Sequence, residues 1–133
     1  LIELAKKQPL AFGSSGSGTS IHLSGELFNT LAGVKMQHIP YKGRAQAVPD
    51  LLGGRLHVAF DNVLILTPYI RNNTLRAIGV TSAKRSVLFP ELPTLVESGF
   101  PGLIGGSWSS LVTTGGSPPE TIEAVTAAVR ALA

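Results

Sequence analysis

Between an apolar run, Leu10 to Ser14, and an amphipathic run, Ser20 to Leu31, the chain places the segment Ser14-Ser-Gly-Ser-Gly-Thr19. A strand that ends in glycines and hydroxyls and re-enters as a helix commits the chain to α/β architecture. It also creates an anion cradle. Gly16 and Gly18 allow backbone turns closed to other residues. The first amides of the following helix have no intrahelical acceptor and sit at the positive end of its dipole. A carboxylate or a phosphate is the expected guest.

Two anion motifs fail at the residue that carries their mechanism. A P-loop starting at Gly13 needs lysine after Gly18, where Thr19 stands, so nothing in the loop reaches the outer phosphates of a nucleotide. A dinucleotide fingerprint needs a third glycine where Ile21 stands. A G-x-S-x-G hydrolase elbow is absent as well, because Ser17 follows Gly13-Ser-Ser-Gly16. The competing reading is a loop of small residues without a ligand, since such loops tolerate change.

Strand and helix signals alternate from Leu10 onward, the pattern of a mostly parallel sheet covered by helices. The first helix is expected over 20–31, with Leu23, Leu27, Phe28 and Leu31 as its buried stripe, Thr19 or Ser20 as cap and Gly33 as stop. A second strand over 36–40 leads into Tyr41-Lys42-Gly43 and a short helix containing Ala45, Val48, Leu51 and Leu52, whose start Pro49 should delay or distort. A third strand, Leu56 to Phe60, ends in Asp61-Asn62, and a helical piece over 64–71 follows, with a possible start after Pro68. Further strands are expected over 75–81 and 107–114, around a short helix at 94–98, and a last helix from Pro118. The whole is read as one three-layer lobe with about five strands. Ligands of open α/β sheets bind beyond the carboxyl ends of the strands. That rule gathers the loops at 14–20, 41–44 and 61–62.

At 133 residues and 44% hydrophobic content the chain can bury a core as one domain. Only 14% of residues are charged, which suggests that some surface is normally covered. The net charge is +3, but the cations are scattered as Lys35, Lys42, Arg44, Arg55, Arg71, Arg76, Lys84 and Arg85, with no basic helix or aromatic platform for nucleic acid. The chain has no cysteine, which excludes disulfides and Cys-based zinc sites. His22, His38 and His57 lack metal-ligand spacing, so neither metal nor cofactor is expected. No apolar run approaches the roughly 18 residues of a membrane helix. Leu1 to Lys7 and Thr121 to Ala133 read as helices cut in their middle, so the chain is expected to be a fragment of something longer.

The run Ser14-Ser-Gly-Ser-Gly-Thr19 with His22-Leu23, then His38-Ile-Pro-Tyr-Lys-Gly43, Asp50-Leu-Leu-Gly-Gly54 and Phe60-Asp61, closely resembles the tripartite tricarboxylate transporter receptors, also called Bug or TctC-type solute-binding proteins. Leu75-Arg-Ala, Val80 to Arg85, Pro90-Glu-Leu-Pro-Thr94, Glu97-Ser-Gly99 and the segment at Trp108 extend the likeness in one collinear order. The resemblance implies a type II periplasmic-binding-protein fold of two α/β lobes that closes on a small carboxylate and delivers it to a membrane permease. This chain would be the second lobe, residues 1–133, with crossover segments near 75–115, lacking its first lobe. The site it implies comprises Ser14, Ser15, Gly16, Gly18 and Thr19 around one carboxylate, with Asp61 facing the ligand's middle. Two departures concern loop shape. Gln46 stands where the family usually has a proline two residues before its Ala-Leu pair, this chain carrying Pro49 instead, and Thr114-Gly-Gly-Ser-Pro118 replaces a common Pro-x-Gly-Thr-Pro turn.

His22 either donates to a ligand or steadies the loop, and Tyr41 and Lys42 either edge the ligand or set a solvated turn. Asp61 either lines the cleft or caps the next segment, since a carboxylate ending an apolar strand must find partners or water. Trp108 is read as a packing residue. The function expected is a periplasmic, non-catalytic lobe binding a di- or tricarboxylate, an acidic amino acid or an aromatic acid, with permease subunits as partners and self-association possible for the isolated lobe. The alternatives are an effector-sensing domain of a transcription factor and a small hydrolase. The hydrolase would need a Ser15, His22 and Asp61 triad.

Overall fold

The computed structural model describes residues 1–107 and 110–131. In chain order the elements are α1 (Ile2–Lys7), β1 (Ala11–Ser14), α2 (Ser20–Ala32), β2 (Gln37–Pro40), α3 (Arg44–Leu52), β3 (Val58–Ala59), α4 (Val63–Arg71) and α5 (Pro119–Ala131). The expected α/β lobe with a parallel sheet and flanking helices is borne out. Among the described residues the sheet has three strands in the order β2-β1-β3. Phe12 is opposite His38 on one side and Val58 on the other. Both neighbours of β1 run parallel to it, so the loops after all three strands open at one edge.

The core forms around β1, where Phe12 is fully buried with Leu10, Phe28, Val34, Met36 and Leu103 about it. Burying a side chain of that size contributes on the order of 2–3 kcal/mol. Phe60 meets Phe12 edge-on at 6.1 Å, and Phe28 lies 5.7 Å from both Phe60 and Phe100.

Of the stripe expected on helix α2, Phe28 is buried and the three leucines are not. Ile21, Gly25, Phe28 and Asn29 face inward, while Leu23, Leu27 and Leu31 are exposed. The cause is Phe12: a Cβ on Gly25 would overlap its ring, so the helix approaches the sheet over its glycine. Asn29 completes the contact. Its Nδ2 donates to the Met36 carbonyl and its Oδ1 accepts from the Met36 amide, both at 3.0 Å, as a neighbouring strand would. Gly33 ends the helix in the left-handed region at φ 62°.

Five further expectations are corrected. Residues 75–81 do not form a strand; Val80 alone makes an isolated parallel bridge to Thr94. The amide of Val80 donates to Pro93 and its carbonyl accepts from Leu95, so the segment is tied to a turn rather than to the sheet. The expected strand over 107–114 falls partly on Trp108 and Ser109, outside the described residues, and 110–114 are irregular. Helix α3 starts directly at Arg44 and runs through Pro49, and α4 likewise starts before Pro68, capped by Asn62. The expected short helix at 94–98 is a turn closed by reciprocal bonds, Thr94 N–H to Glu97 and Glu97 N–H to Thr94 Oγ1.

Candidate ligand-binding site

The loop after β1 holds its shape through its own hydroxyls. Gly16 and Gly18 have φ of 137° and 82°, the left-handed conformations that glycine was expected to supply. The buried Ser14 hydroxyl accepts from the Gly16 amide at 3.1 Å and lies 3.0 Å from the Gly16 carbonyl. Thr19 Oγ1 donates to that carbonyl at 2.7 Å and, as cap of α2, accepts from the His22 amide at 3.4 Å. Thr19 therefore frames the cradle.

His22 steadies the loop. Its Nδ1 accepts from the Gly18 amide at 3.0 Å, and its ring stacks on His38 at 3.9 Å. His38 Nε2 lies 2.6 Å from Ser14 Oγ, which ties β2 to the loop. Burial, followed by the neighbouring His22, lowers the His38 pKa below its usual 6.5, with Glu26 opposing. Among the described residues, no acceptor meets the amides of Ser15, Ser17, Ser20 and Ile21. These, rather than the amide of Gly18, are the donors the loop offers to an anion.

The loops after β2 and β3 supply charge. The Tyr41 amide donates to the Ser14 carbonyl at 3.0 Å, but its hydroxyl donates to Asp50 at 2.7 Å. Arg55 also bonds Asp50. Arg55 and the Tyr41 hydroxyl hold the Asp50 carboxyl below the usual range, and Asp50 pushes the Tyr41 phenol up. Tyr41 thus fixes the turn, with its ring over Gly13. Lys42 is exposed, and its amide donates to Gln46 Oε1 at 3.2 Å.

The Asp61 side chain is only 9% exposed, and Arg44 Nε stands 3.1 Å from its Oδ1. Asp61 Oδ1 also accepts from the Asn62 amide at 2.7 Å, and Asn62, not Asp61, caps α4. Ser14, Ser15, Arg44 and Asp61 line one pocket with Gly13 and Ile21. Its volume is about 10 Å³, room for about one water molecule. A ligand larger than a water molecule would lie on the surface at this edge.

Of the expected site residues Ser14, Ser15 and Asp61 line this pocket; Gly16, Gly18 and Thr19 belong to the adjoining loop, and they, His22, Tyr41 and Lys42 stand outside its lining. The partners of His22 are Gly18, His38 and Glu26, which leaves the Ser15 triad without an oriented base. Among the described residues no group of three potential ligands could hold a metal ion, and no helix is long and apolar enough to cross a membrane. Sequence reasoning placed Arg44 among the scattered cations and in the 41–44 loop, and His38 in a motif and among histidines without metal spacing, and gave neither a role at the site. The signal for Arg44 was its place directly after the Gly43 turn.

A family model described as tripartite tricarboxylate transporter family receptor matches residues 1–133. Protein BugT of Bordetella pertussis is 36% identical over 124 residues, which are 92% of this chain and 38% of that protein. A solved R. palustris protein with adipate is 37% identical with a TM-score of 0.91, over 96% of this chain and 44% of that one. MatC from Rhodopseudomonas palustris with bound malate is 27% identical with a TM-score of 0.81, over 91% of this chain and 41% of that one. The chain thus spans less than half the length of these proteins.

Proposed function

The chain belongs to the tripartite tricarboxylate transporter receptor family, and from that premise we propose that it forms one lobe of a periplasmic receptor that captures a small carboxylate for a membrane permease. The observation that carries this is the set of amides at Ser15, Ser17, Ser20 and Ile21, without protein acceptors among the described residues, at the carboxyl ends of parallel strands. Amides so placed stabilise a carboxylate through charge-assisted hydrogen bonds and the helix dipole. The rigid frame of Ser14, Thr19 and His22 keeps them in position without the ligand. The small pocket volume suits half of a clamp, in which closure of a companion lobe removes water and strengthens each bond. The family is one of solute receptors, and the role proposed is binding without turnover.

A thermal-shift panel of mono-, di- and tricarboxylates on the two-lobed receptor tests this. A ligand at about 100 times its Kd adds about 2.7 kcal/mol of apparent stability. At least one carboxylate is expected to raise the melting temperature; no response to any carboxylate or aromatic acid would sink the proposal.

A further inference from the structure

We infer that Arg44 is the residue by which this lobe selects a dicarboxylate, the loop amides taking one carboxylate and the guanidinium the other. The inference rests on the proposed receptor function. Among the described residues Arg44 is the single cation lining the pocket that also holds Ser14, Ser15 and Asp61. Its side chain is 35% exposed, enough to meet a ligand, while Asp61 beneath it is nearly buried.

The pair with Asp61 does not exhaust Arg44. The closest approach to that carboxylate is Nε to Oδ1 at 3.1 Å, and among the described residues neither terminal nitrogen donates a hydrogen bond. A guanidinium carries five N–H donors in a planar fork that fits a carboxylate bidentately. Asp61, already bonded to the Asn62 amide, fixes the position of Arg44 and offsets its charge when no ligand is bound. It also repels anions that do not reach the guanidinium. A monocarboxylate would fill the amide pole alone, whereas a diacid would engage both poles. Lys42 is exposed and, unlike Arg44, makes no contact with the Asp61 carboxylate, and the rings of His22 and His38 are spent on Gly18, on Ser14 and on each other.

The experiment is calorimetric titration of the two-lobed receptor with straight-chain diacids from succinate to adipate, each paired with its monomethyl ester. The esters keep the chain and remove one charge. The wild type is expected to prefer at least one diacid over its ester by about tenfold or more. Arg44→Gln should bring that ratio to about one, and Arg44→Lys should retain part of it. Equal binding of diacid and ester by the wild type overturns the inference, as does a preference that survives Arg44→Gln or a response confined to monocarboxylates. In each of those cases carboxylate binding persists and the receptor function stands. Failure of every carboxylate to bind overturns both, and should Arg44→Gln fail to fold, Arg44→Lys decides, since an undiminished diacid preference in that variant overturns the inference.

Discussion

His22 Nδ1 accepts the Gly18 amide at 3.0 Å while the His22 ring stacks 3.9 Å from His38, so the helix that follows the glycine loop also clamps it. His38 in turn reaches Ser14 Oγ at 2.6 Å. The loop is thereby closed by a side-chain relay running Gly18, His22, His38, Ser14.

This relay makes stability depend on pH. Burial and His22 lower the His38 pKa in the folded protein, so below the usual 6.5 the unfolded chain takes up the proton first. The stabilisation is fully present above pH 6.5 and is lost as pH falls through the lower folded value. Melting temperatures measured between pH 8 and pH 5 are expected to fall from about 6.5 downward. His38→Gln should flatten that part of the profile, and an unchanged slope in the variant would show that His38 is not its source.

Gly18→Val is expected to cost about 1–3 kcal/mol and to abolish carboxylate binding. Gly18 sits at φ 82°, and a Cβ there would meet no atom within 4 Å, so the penalty is backbone strain rather than a clash. Gly18→Asn, which tolerates the left-handed region better, should lie between the two. Denaturant melts with and without ligand separate the two effects.

Gly25→Ala is expected to destabilise by about 1–3 kcal/mol although alanine favours helices, because the added methyl enters the space of the Phe12 ring. A stabilised variant in urea melts would mean that α2 does not approach β1 over this glycine.

Asn29→Leu should cost about 2–4 kcal/mol, since it leaves both the amide and the carbonyl of Met36 without their partner in a buried position. Urea unfolding measures it directly. A loss under about 0.5 kcal/mol would place the Met36 groups in solvent instead.

The local part of this molecule was legible in the sequence. The glycine loop, the Thr19 cap, the Gly33 stop and the polar end of β3 all follow from residue chemistry over a few positions. What escaped depends on partners distant in sequence. The exposed leucines of α2 mimic a core stripe, and only the Phe12 ring over Gly25 decides which face is buried. The apolar run at 75–81 has strand composition but finds Thr94 rather than a sheet edge. Arg44 acquires its meaning from Asp61, brought to it by the β3 turn. The acceptor role of His22 required the ring to fold back onto Gly18, which spacing alone did not specify.

The proposed carboxylate grip is formed by the loop amides that lack protein acceptors among the described residues. Backbone amide resonances of the two-lobed receptor, followed during titration with adipate or another carboxylate that raises its melting temperature, report on it. Ser15, Ser17, Ser20 and Ile21 should move downfield together and saturate at one Kd, while the Gly16 and Gly18 amides, already bonded to Ser14 and His22, move less. Saturable binding that leaves those resonances in place would contradict the account.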